Sequence, residues 1–181
     1  NVDQDQSRVT IEVGKAGALS FLAGHTHEVV SPVRGVIRFD AEDPSHSDVH
    51  LEIDAAALKV TGKGDPPDDV PKVQQTMSSD QVLGVERHPT IVFQSTSVVI
   101  KAQETHGLDL TVSGQLTLHK VTRLLTVPVA ARVDAGALTA RGSFSLNQTD
   151  YGINPVSVAG VVSVKDKLTV SFAIVAKPSG G

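Results

Sequence analysis

The sequence has no cysteine and no tryptophan, and only one methionine and one tyrosine among its 181 residues. Without thiols there is no disulfide framework, no thiolate zinc site and no cysteine nucleophile, so histidines and carboxylates are left as candidate ligands. Aromatics are scarce, five Phe and one Tyr, so Val, Leu, Ile and Ala must supply the core. The β-branched share of that set favours strands. No apolar run approaches the roughly 20 residues that a membrane-spanning helix needs, and no basic amphipathic helix suggests surface attachment. Positive charge is also short, with 16 Lys and Arg against 20 Asp and Glu for a net charge of -4. With no basic cluster, nucleic acid is not an expected partner. There is no Gly-x-Ser-x-Gly elbow, His-Glu-x-x-His pair, phosphate loop or dinucleotide fingerprint, so no enzyme activity is expected.

What is present is alternation. Val9, Ile11 and Val13 share one face of an extended chain, as do Val49, Leu51 and Ile53. The period returns in Leu108, Leu110, Val112, Leu116 and Leu118, in Val127, Val129 and Val133, and in Leu138, Phe144 and Leu146. It appears last in Leu168, Val170, Phe172 and Ile174. Turn chemistry separates these runs at residues 40–48, 104–107, 134–137 and 164–168. About eight strands result, arranged as an all-β antiparallel barrel, with a flattened sandwich as the rival. The exception is residues 59–89, a long crossover in which "VPKVQQTMSSDQVL" allows one or two short helices. Its "DPPDD" (65–69) reads as a solvated loop or as charge at a helix N-terminus. The division expected is an N-terminal extension (1–8), one barrel domain (9–176) and a frayed tail (177–181).

Four segments, in order, resemble a known family. They are "GVIRFDAEDPSHSDVHLEID" (35–54), "HPTIVFQSTSV" (88–98), "GQLTLHKVTRLLTVPV" (114–129) and "LNQTDYGI" (146–153). Together they are similar to the YceI-like family of lipocalin-like, lipid-binding proteins, many of them periplasmic. The sequence departs from that pattern at Lys120, where a turn glycine is common, at Val82 and Leu83, where phenylalanines are frequent, and at Gln148, which replaces a frequent arginine. The resemblance implies an apolar tunnel suited to a long isoprenoid or quinone-type chain, bound and carried without catalysis, in a periplasmic or secreted protein. The absence of an initiator Met and of a leader pattern ahead of residue 10 fits removal of a leader or a trimmed sequence. The partner expected is a hydrophobic small molecule, with pairing into a homodimer left open. Phe39, Phe93, Phe144 and Phe172 fall on expected strands and are candidates to line the tunnel.

"GHTH" (24–27) carries the most reactive side chains. In an extended chain His25 and His27 point to one side, and neutral imidazoles suit Zn, Cu or Ni. His119, in an expected turn, is the candidate third ligand. A divalent transition metal bound by His25, His27 and His119 is therefore the alternative function. His25 also has a second reading, as a hydrogen-bonding partner for a lipid head group at the barrel mouth. The plain reading of both is a polar turn following Gly24. A third function, a filled barrel acting through its surface, stays open because periodicity does not separate a hollow barrel from a filled one.

Overall fold

The computed structural model describes residues 1–16, 26–40, 42–104, 107–158 and 162–178. Among them eleven strands form one curled antiparallel sheet: β1 (Arg8–Ala16), β2 (Thr26–Pro32), β3 (Arg34–Arg38), β4 (Asp48–Asp54), β5 (Lys59–Val60), β6 (Thr90–Glu104), β7 (Gly107–Leu118), β8 (Val121–Asp134), β9 (Ala137–Asn147), β10 (Ser157–Val158) and β11 (Val162–Ala176). The strand order is β3-β4-β6-β7-β8-β9-β11-β1-β2-β5, with β10 paired to β11. The expected antiparallel barrel is present, with more strands than the eight expected. The surplus includes β5 and β10, which at two residues each are too short to show a period.

The path of hydrogen-bonded strands stays open, but its ends come together. β2 runs into β3 with only Val33 between them, and Val33 is 1% exposed. Residues 1–3 help draw that corner in. Val2 donates its N–H to the Gly35 carbonyl on β3 at 3.0 Å, while Asp3 donates to the Val175 carbonyl on β11 at 2.8 Å. Val2 itself packs into the core with Val9, Val33, Val170 and Ile174. The segment expected as an extension is thus part of the barrel wall.

Local turn chemistry explains the long hairpins. β8 and β9 are joined by Ala135 and Gly136, both at positive φ, the geometry whose twist matches paired strands. β7 and β8 are joined by His119 (φ 52) and Lys120 (φ 63), so Lys120 adopts the left-handed conformation that its position demands without a glycine. Residues 164–168 are not a turn. They lie inside β11, where Lys165 and Lys167 face solvent and Val164 and Leu168 turn away from it. Their three charges suggested a turn, but a strand with one wet face carries charge at alternate positions.

The crossover supplies one helix, α1 (Val70–Ser78), with a proline in its first turn. Val70, Val73 and Met77, at helical spacing, pack toward Leu58 and Val60. Leu83, farther along the crossover, packs against both this cluster and the one formed by Leu116, Leu118, Tyr151 and Ile153. The crossover therefore covers one end of the barrel.

Candidate functional site

Because side chains alternate along each strand, one face of every long strand turns into the barrel. Those faces do not fill it. A cavity of about 240 Å³ remains, lined by thirty residues of which Gln148 alone is polar and none is charged. The alternating sets of β1, β4 and β11 all line it: Val9 to Val13, Val49 to Ile53 and Leu168 to Ile174. On β7 the lining runs from Val112 to Leu118, six residue steps or about 20 Å at the usual rise of a strand. A volume of this size spread over that length is a narrow bore. Met77, Val82 and Leu83 of the crossover line it as well.

Phe93, Phe144 and Phe172 border this cavity. Two of the rings lie over glycines. A Cβ on Gly114 would stand 2.5 Å from Phe93 Cζ, and one on Gly142 would stand 2.6 Å from Phe172 Cζ. Strand glycines here make room for close approach of an aromatic ring. Phe39 differs from the expectation: it follows the end of β3, is half-buried and is not among the residues lining the cavity. Pairing of β3 with β4 stops at Arg38 and Asp48, and the chain then turns into the loop held by Asp40.

Gln148, 5% exposed, begins the short turn Gln148–Tyr151 that follows β9. Its Nε2 donates to the Lys165 carbonyl on β11 at 2.9 Å. Its own carbonyl accepts from Ile153 N–H at 3.1 Å. The next residue is clamped too, since Thr149 donates its N–H and Oγ1 to the two oxygens of Asp166 at 2.9 and 2.7 Å. These bonds hold the Asp166 carboxyl below its ordinary range, Thr149 Oγ1 contributing most. Burial pushes the Tyr151 phenol upward. Reading the sequence marked Gln148 only as a replacement for arginine; its position straight after a cavity-lining alternation, Phe144 and Leu146, is the signal that points it inward.

The histidines are drawn to separate partners. His27 Nδ1 stands 2.7 and 2.9 Å from the two oxygens of Asp65. The Asp65 side chain is 1% exposed, which corrects the reading of "DPPDD" as wholly solvated: its first carboxylate is buried against the "GHTH" strand. His25 lies outside the described residues. His119 Nδ1 is 3.2 Å from the Tyr151 carbonyl, and its ring meets that of His88. Among the described residues no group of three or more His, Asp or Glu is placed to hold a metal ion. The structure brings His27 and His119 to different neighbours and joins neither to a third ligand.

The sequence pattern of the YceI-like domain matches residues 1–176. The chain belongs to the YceI-like family. Solved structures share its fold at low sequence identity. Burkholderia cenocepacia BcnA superposes with a TM-score of 0.77 at 15% identity, over 98% of this chain and 100% of that one. A polyisoprenoid binding domain from Saccharophagus degradans, implicated in plant cell wall breakdown, gives 0.71 at 13%, over 98% and 97%. The Campylobacter jejuni YceI protein gives 0.63 at 12%, over 82% of each chain. No curated protein sequence matches the chain.

Proposed function

We propose that the barrel binds one long apolar chain, isoprenoid or quinone-like, along its bore and carries it without transforming it. The observation that supports this reading is the cavity itself: about 240 Å³, apolar on every side but one, and without a charged wall. Ordinary small-molecule sites enclose roughly 300–1,000 Å³. A narrower bore fits a slender chain better than a fused ring system. Each methylene withdrawn from water contributes about 0.8 kcal/mol, so affinity accumulates along the chain without directional contacts. The description of the Saccharophagus degradans relative as a polyisoprenoid binding domain agrees with this reading.

Native mass spectrometry of the protein mixed with farnesol, and with a quinone bearing a short isoprenoid tail, tests it. A one-to-one adduct is expected. Ala140 lines the bore, so Ala140→Leu adds bulk there and weakens the adduct while the strand signature in circular dichroism persists. Absence of an adduct with either probe would overturn the proposal.

A further inference from the structure

We propose that Gln148 makes the cavity selective for a neutral chain ending in a hydroxyl, an inference that rests on the lipid-binding reading above. Gln148 is the one polar residue in a wall of thirty, and no charged group joins it there. Its amide nitrogen is committed to the Lys165 carbonyl. Its amide oxygen has no donor among the described residues, yet it is not sealed away, since His88 Nδ1 is the one enclosed side-chain polar atom without a partner among them. A residue 5% exposed to solvent that lines the bore has its open amide edge on the bore.

An uncharged acceptor in an apolar wall selects by chemistry. Leaving it unmatched against a hydrocarbon forfeits a hydrogen bond in surroundings where water does not replace it. A hydroxyl donates to the oxygen, and it also accepts from the second amide hydrogen beside it. An ether offers no donor. A phosphate or carboxylate brings charge into a bore with no cation to meet it, at a large desolvation penalty. The acceptor is also fixed in advance. The bond to Lys165, the Ile153 N–H on the Gln148 carbonyl and the Thr149–Asp166 clamp leave the amide little freedom to lose on binding.

Titration calorimetry with farnesol, farnesyl methyl ether and farnesyl phosphate tests the inference. In the native protein farnesol is expected to bind about five- to tenfold more tightly than the ether, the value of one net hydrogen bond, and farnesyl phosphate more weakly than either. In Gln148→Met and Gln148→Leu the farnesol affinity falls to that of the ether. The ether affinity stays unchanged, which shows that the bore is intact. Equal binding of farnesol and ether by the native protein overturns the inference and leaves the lipid reading standing, as does an equal drop for both probes in the variants. If farnesyl phosphate binds most tightly, the inference likewise falls. If none of the probes binds the native protein, both readings fall together.

Discussion

The rings of His88 and His119 meet edge to face, their centroids 4.2 Å apart and their planes at 63°. His88 ends the crossover just before β6, and His119 sits in the turn between β7 and β8, so this contact ties the cover of the barrel to its wall. Nδ1 of His88 is enclosed without a hydrogen-bond partner. Burial, with His119, Lys120 and Arg87 nearby and only Asp80 opposing them, holds the His88 pKa below its ordinary 6.5.

A depressed histidine pKa means that the unfolded chain takes up the proton first as pH falls. The stability tied to neutral His88 is therefore complete above pH 6.5 and is lost as pH falls from there through the lower folded value. Urea unfolding at pH 8 and pH 5 should show the native protein losing more stability than His88→Phe, which keeps a ring at the contact but does not titrate. An NMR titration placing His88 at or above 6.5 would contradict this.

His50, on the outer face of β4, has the opposite sign. Nε2 lies 3.0 Å from Glu52 Oε1 and Nδ1 lies 2.9 Å from Gln94 Oε1. Both partners are acceptors, so the ring satisfies both only when doubly protonated, and Glu52 first and Gln94 second raise its pKa above 6.5. Its contribution is fully present below pH 6.5 and fades as pH rises through the higher folded value. Because the ring is well exposed the effect is small and weakens with salt. Glu52→Gln should lower the His50 titration midpoint, and an unmoved midpoint would rule out the pair as its cause.

Gly142 pairs with Phe172 across β9 and β11. A Cβ there would lie 2.6 Å from Phe172 Cζ and 2.5 Å from the Pro128 carbonyl oxygen. Gly142→Ala should lower unfolding stability by about 1–3 kcal/mol, the usual penalty for overpacking. It should also weaken farnesol uptake, because the displaced ring has the bore to move into. Adding Phe172→Leu should recover part of the loss, with the backbone clash remaining. Strict additivity of the two substitutions would show that the ring is not involved.

Particular residues show why some of this was legible in the sequence and some was not. Val9, Ile11 and Val13 alternate, and all three line the cavity, because a strand's period of two passes directly into which face is inward. Val133 belongs to the same pattern but is 49% exposed, since it lies one residue from the end of its strand, next to the hairpin turn. Lys165, Asp166 and Lys167 hid a strand because outward charge and turn charge look alike over three residues. Asp65 and His27 are separated by 38 positions, and local sequence patterns do not report pairings of that range. Hollowness is equally non-local: it depends on how facing side chains from all the strands meet.

Asp166 gives the last prediction, because it steadies the turn that carries Gln148. Its carboxylate accepts from Thr149 N–H and Oγ1, and those bonds place its folded pKa below the ordinary 3.8. A depressed carboxylate pKa contributes stability that is present above pH 3.8 and is lost as pH falls through the folded value. Asp166→Ala should therefore flatten the acid limb of the stability profile and speed amide exchange at Thr149. It should also weaken farnesol more than farnesyl methyl ether, since a loosened turn misplaces the acceptor while leaving the apolar walls in position. Unchanged exchange at Thr149 would show that the clamp does not hold the turn. Faster exchange with farnesol and the ether weakened equally would show that the turn is held but does not aim Gln148.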